Sequence, residues 1–83
     1  MLLTLLSRAY CHLCDDMREA LVPLATSAGA QVVELDVDAH PPLEARYGER
    51  VPVLLLGDAH DGVELCHYAL DAAHVRAALQ PQP

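Results

Sequence analysis

The chain changes its hydrophobic period twice between Leu2 and Val37, and this alternation constrains the fold more than any other feature. Leu2 to Ser7 is a leucine-rich run with Thr4 inside it, of a length that suits a buried strand better than a helix. Leu13, Met17, Leu21, Leu24 and Ala28 then recur three and four positions apart, which predicts a helix with one apolar face. Asp15, Asp16 and Glu19 sit near its start, where acids meet the positive end of the helix dipole, and Gly29 is a natural stop. Pro23 cannot donate to the Glu19 carbonyl and predicts a bend or a split. Gln31 to Val37 restores strand character, with alternation from Val33 to Asp38. Two strands joined by a helix of this length make a right-handed βαβ unit with parallel strands.

The rest of the chain extends that unit. His40-Pro41-Pro42 prepares a short helix over Leu43 to Tyr47 that ends at Gly48, because the first helical turn needs no amide donors from the prolines. Val51 to Leu56 reads as a buried strand, Gly57 to Gly62 as a turn, and Val63 to Tyr68 as the antiparallel partner. Asp71 caps a last helix through Ala72, Val75, Ala78 and Leu79, with Pro81 ending it. The predicted order is β-α-β-α-β-β-α, an α/β fold with a four-stranded mixed sheet flanked by helices. With 83 residues the chain has the length of one domain, residues 1–83, burying about 60% of the surface its unfolded form exposes.

Charge narrows the partners. Asp and Glu outnumber Lys and Arg by 12 to 5, for a net charge of −7, and the basic residues are scattered arginines. No run of phosphates can be neutralised by such a chain, which argues against nucleic acid and anionic membrane surfaces. The opening leucines lack a basic segment before them and are followed at once by Arg8, so they read as a strand rather than an export signal. No apolar run reaches the length of a membrane span. The expectation is a cytoplasmic protein acting as a monomer.

The chemistry is concentrated in Tyr10-Cys11-His12-Leu13-Cys14, placed where the first strand meets the first helix. Two thiols with two residues between them face each other across a helical turn. They can serve electron transfer, metal binding or plain packing. In a reducing compartment such a pair is more often redox-active or metal-binding than a structural staple. Cys11 falls at the helix start, where unpaired amides and the dipole stabilise a thiolate below the free value of about 8.5. Cys11 is therefore the expected nucleophile and Cys14 the resolving thiol. Arg8 and a protonated His12 are expected to favour the thiolate, whereas Asp15, Asp16 and Glu19 oppose it. Tyr10 is placed to line the substrate approach.

With Ser7-Arg8-Ala9-Tyr10-Cys11-His12-Leu13-Cys14 and Arg50-Val51-Pro52-Val53 in view, the chain resembles the small glutaredoxin-like proteins of the thioredoxin-fold superfamily. The resemblance covers nearly the whole chain. It implies a thiol-disulfide oxidoreductase in which Pro52 is cis and lies beside the active disulfide. A proline there also offers no amide hydrogen and leaves the backbone of Val51 free to pair with an extended cysteine-bearing substrate. The implied partners are protein or small-molecule thiols and disulfides, with glutathione as a co-substrate and no bound cofactor. Two departures bear on what docks. His12-Leu13 replaces the usual Pro-Tyr between the cysteines. His67-Tyr68-Ala69-Leu70-Asp71 lacks the glycine pair that permits close backbone approach to a ligand. The alternative on the same fold is a non-catalytic binding module.

A metal site would need Cys66 and His67 to complete a tetrahedral set with Cys11 and Cys14. Cys66 is more simply a small buried hydrophobe, although the alternation from Val63 to Tyr68 does not tell which face is covered. His40, His60 and His74 read as surface residues, and Glu34, Asp36 and Asp38 as solvated charge.

Overall fold

The computed structural model describes residues 1–80. β1 (Leu2–Ser7) is followed by α1 (His12–Ala28), β2 (Gln31–Asp36), α2 (Pro41–Tyr47), β3 (Val53–Leu56), β4 (Val63–His67) and α3 (Ala72–Leu79), with short 3-10 turns at Val37–Ala39 and Gly48–Arg50. The four strands lie in the order β2-β1-β3-β4. β1 runs parallel to β2 and antiparallel to β3, and β3 is antiparallel to β4. The βαβ unit, the hairpin and the α/β architecture agree with the alternation of hydrophobic period.

The sheet separates two apolar layers. Leu3, Leu5 and Leu54 meet Met17 and Leu21 of α1 and Val75 and Leu79 of α3 on one face. Leu6, Val53 and Leu55 meet Val37 and Tyr47 on the other. Odd and even positions of β1 therefore serve different layers, which is why the strand carries no solvent-facing side. Each fully buried leucine contributes about 1.5–3 kcal/mol by leaving water, and this aliphatic packing carries the fold without a Phe or Trp.

Several expected boundaries move. α1 is not split at Pro23. The residue is exposed, so the Glu19 carbonyl that loses its donor can turn to water. Gly29 takes φ +67° and its N–H returns to the carbonyls of Ala25 and Thr26, ending the helix in the left-handed conformation glycine favours. Val37 leaves β2 and turns into the second core layer. α2 starts at Pro41 rather than Leu43, and Gly48, at φ −53°, passes the chain into a 3-10 turn instead of stopping it. Val51 and Pro52 precede β3 rather than opening it, and Tyr68 lies beyond β4. Asp71 caps α3 by accepting the His74 N–H at 3.0 Å. The stop expected at Pro81 lies outside the described residues. Among those described, no helix is long and apolar enough to cross a membrane.

Candidate functional site

Cys11 is the N-cap of α1, with extended backbone (φ −117°, ψ 104°), and its Sγ accepts the Cys14 N–H at 3.1 Å. A sulfur here fills the place that Ser, Thr or Asp commonly takes in satisfying the unpaired amides of the first turn. Cys11 and Cys14 form a disulfide, with Sγ atoms 2.26 Å apart and Cα atoms 5.2 Å apart. The two differ in access. Cys14 is fully buried, whereas Cys11 is partly open to solvent.

The strand register gathers three chain segments at this end of the sheet. Leu6 near the end of β1 pairs with Val53 at the start of β3, and Val53 pairs with His67 at the end of β4. The Tyr68 N–H donates to the Pro52 carbonyl at 2.9 Å. The cysteine loop, the Val51-Pro52 segment and the Tyr68–Asp71 segment are thus neighbours although distant in sequence. The Val51-Pro52 peptide bond is cis, as the resemblance implied. Pro52 is buried, while Val51 is half-buried. Among the described residues, the Val51 N–H and C=O enter no backbone hydrogen bond of the turns and caps.

Around the disulfide the surface carries large exposed side chains. Tyr10 is fully exposed and Leu13 about half so. Tyr10 and Tyr68 are the only non-glycine residues described with positive φ, at 57° and 65°. That conformation costs roughly 1–2 kcal/mol for a residue with a Cβ, and both instances flank the site. Tyr68 also reaches across to the 3-10 turn before Val51: its hydroxyl donates to the Glu49 carbonyl at 3.1 Å. The His67 ring meets the Tyr68 ring edge to face at 4.8 Å. The sequence places Tyr68 at a strand end and in a stretch without the glycine pair; no signal along the chain marks the positive φ it adopts there.

The arginines at this end are committed to internal partners. Arg8 was expected to support the Cys11 thiolate, but its guanidinium pairs with Asp38 at 2.9 Å and Glu44 at 3.6 Å and donates to the Gly48 carbonyl at 3.3 Å. These carboxylates offset its charge, leaving the helix N-terminus at the sulfur. Arg18 bridges Asp15 of its own helix at 2.8 Å and Glu34 of β2 through two nitrogens. The Ser7 hydroxyl donates to Glu34 Oε2 at 2.8 Å. The Arg18 hydrogen bonds, helped by Ser7 and opposed by partial burial, hold the Glu34 carboxyl below its ordinary range. Arg50 pairs with Glu64 at 3.0 Å, and Glu64 also meets His67 Nδ1 at 2.9 Å. Glu34, Asp36 and Asp38 are therefore not merely solvated: Asp36 accepts the Asp38 N–H, and the other two hold arginines. No periodicity in the sequence marks these pairings.

Cys66 is settled by a β-bulge. Leu54 pairs with Cys66 and Leu55 with Glu64, so Leu65 has no opposite residue. Leu65 and Cys66 then both face the α1–α3 layer, and Glu64 faces the other way. Cys66 is partly buried, and burial pushes its thiol above the ordinary range. Among the described residues no three His, Cys, Asp or Glu side chains converge as metal ligands, so the four-residue set of Cys11, Cys14, Cys66 and His67 is not assembled.

Three concavities of the described residues lie away from the disulfide. One lies between α1 and α3, beside Leu24, Arg76 and Leu79. A second lies at the start of α2, beside His40, Pro41 and His60, and a third beside Glu44, Arg46 and Glu49. Neither cysteine nor Val51-Pro52 lines any of them.

A four-stranded mixed sheet with a CxxC pair at the first helix and a cis-proline before the third strand defines a glutaredoxin-like protein of the thioredoxin superfamily. The family model described as a glutaredoxin-like domain (DUF836) matches residues 2–80, and the chain belongs to that family. An uncharacterised protein of Mycobacterium tuberculosis is 36% identical over 78 residues, covering 88% of this chain and 76% of the relative. A solution structure of a Nitrosomonas europaea protein superposes with a TM-score of 0.81 at 33% identity, covering 94% of this chain and 89% of that one. A crystal structure of an X. campestris protein gives 0.69 at 42% identity, covering 98% and 99%. Thioredoxin 1 of Thermosipho africanus, at 18% identity, shares the fold with a TM-score of 0.67, covering 95% of this chain and 90% of that one.

Proposed function

We propose that this protein carries out thiol–disulfide exchange, with Cys11 as the attacking thiolate and Cys14 as the resolving thiol. The observation that carries this reading is the Cys14 N–H aimed at Cys11 Sγ from the first turn of α1, with Cys11 open to solvent and Cys14 buried. A helix N-terminus favours negative charge on that sulfur, and the thiolate is the reactive form. In the reduced protein Cys11 attacks a substrate disulfide; one substrate sulfur leaves as a thiolate and takes a proton from solvent. Cys14, deprotonated, then attacks Cys11 Sγ and releases the second substrate sulfur. Two electrons have passed to the substrate, and the Cys11–Cys14 disulfide remains for a dithiol donor to reduce.

Val51 and Pro52 shape the docking edge: an extended substrate pairs with the Val51 backbone, as in strand addition. Tyr10 and His12 line the approach, and Arg8 tethers the cysteine loop to α2. Glutathione and protein thiols are both chemically competent partners at such a sulfur.

The test is to trap the intermediate. Reduced Cys14→Ser protein mixed with a small neutral disulfide is expected to hold a stable adduct on Cys11, seen by mass spectrometry. Absence of the adduct, with Cys11 alkylating as an ordinary thiol of pKa about 8.5, would overturn the proposal.

A further inference from the structure

We infer that the substrate of this site is a polypeptide thiol or disulfide flanked by cationic residues, rather than an anionic small thiol. The inference rests on the exchange chemistry proposed above and adds the class of molecule that docks.

Charge at the site end of the sheet carries the argument. Arg8, Arg18 and Arg50 each spend their guanidinium on carboxylates of this chain: Asp38 and Glu44, Asp15 and Glu34, and Glu64. Arg8 Nε and Arg50 Nε, which lack partners, are buried and cannot meet an incoming carboxylate. Arg46 lies over the Tyr47 ring and shares its concavity with Glu44 and Glu49. Against this, Asp16 in the first turns of α1, Asp36 at the end of β2, Glu49 before Val51, and Asp71 at the start of α3 have no ion-pair partner among the described residues. A ligand with two carboxylates would meet these four acids, while of the arginines at this end Arg46 alone has no ion-pair partner among the described residues. A ligand with arginine or lysine beside its cysteine would meet complementary charge, which raises encounter rate and rejects like-charged competitors.

Shape points the same way. Neither cysteine lines the concavities described above, and Tyr10 and Leu13 beside the cysteines and Tyr68 beside Pro52 present exposed side chains. A small molecule is held by a concave site that buries most of its surface. A polypeptide instead gains contact along a rim of exposed aromatic and aliphatic side chains while its backbone pairs with Val51. Tyr68, tied to the Glu49 carbonyl, spans the turn before that edge and adds an exposed aromatic ring to it.

The experiment compares four disulfides with the dithiol-reduced protein. Two are homodimers of equal-length cysteine peptides, one flanked by arginines and one by glutamates. The third is oxidised glutathione and the fourth a neutral hydroxyethyl disulfide. Each rate is divided by the rate with a small neutral dithiol, which removes differences in leaving-group reactivity. The cationic peptide is expected to show a normalised kcat/KM roughly tenfold or more above the anionic peptide and glutathione at low salt, with the gap closing as salt screens the charges. Asp16→Asn combined with Glu49→Gln is expected to narrow that ratio. Equal normalised rates for cationic and anionic substrates, with the neutral disulfide turned over, would overturn the charge preference while sparing the exchange chemistry. No turnover of any of the four would overturn both.

Discussion

The Cys14 N–H donates to Cys11 Sγ across 3.1 Å, so one cysteine's amide faces the other's sulfur at the start of α1. On reduction, the proposed exchange chemistry expects that amide to favour the thiolate form of Cys11. In the reduced protein near neutral pH, iodoacetamide is expected to modify Cys11 faster than Cys66, by on the order of tenfold or more in rate. Burial raises the Cys66 thiol and removes it from this competition. Cys66→Ala is expected to leave exchange unchanged. Peptide mapping of partly alkylated protein checks the order.

Glu34 ties β2 to the helix that bears the cysteines, through Arg18, and to the end of β1 through Ser7. Its carboxyl titrates lower in the folded protein than the unfolded value of about 4.3. The stabilisation is therefore complete above that value and is lost as pH falls through the lower folded one. Glu34→Gln is expected to cost about 0.5–1 kcal/mol near neutral pH, a modest figure because both partners are partly exposed and screened by water. Denaturant melts of the two proteins should converge in acid.

Pro23 lies inside a continuous helix and faces solvent. Pro23→Ala restores one backbone hydrogen bond, to the Glu19 carbonyl, and should stabilise the protein by about 1–3 kcal/mol, less any benefit proline gave by restricting the unfolded chain. A higher Tm with unchanged thiol reactivity is the expected result. A lower Tm would show that the proline is needed where it stands.

Leu54 is fully buried in the layer shared by α1 and α3, opposite Cys66 in the sheet. Leu54→Ala is expected to destabilise by about 2–5 kcal/mol through lost burial and the cavity left behind. That is a large share of a total of about 5–15 kcal/mol. Chemical denaturation measures it directly.

The fold was largely legible because its elements announce themselves by period. Leu13, Met17, Leu21, Leu24 and Ala28 mark a helix whatever surrounds them, and Gly57 to Gly62 marks a hairpin. β4 resisted because a bulge breaks the two-residue alternation. Leu65 and Cys66 share a face that no strict pattern assigns to both. The split that Pro23 suggested is absent because the cost of a lost hydrogen bond depends on whether the freed carbonyl meets water, and only the packed helix shows that. At the site, Cys11, Cys14 and Pro52 were legible from spacing and resemblance, whereas the positive φ of Tyr68 and its bond to the Glu49 carbonyl were not.

The sequence by itself determined the strand–helix alternation, the cysteine pair at a helix start and an excess of negative charge, because each is a property of neighbours along the chain. Only the tertiary structure decided which carboxylate each arginine takes. Arg8 meets Asp38, Arg18 meets Glu34, and Arg50 meets Glu64 through folding that brings distant segments within hydrogen-bonding reach. Attraction between exposed charges is screened beyond roughly 8–10 Å at physiological salt. The charge around Cys11 is therefore set by these contacts, and a list of charged residues could not have supplied it.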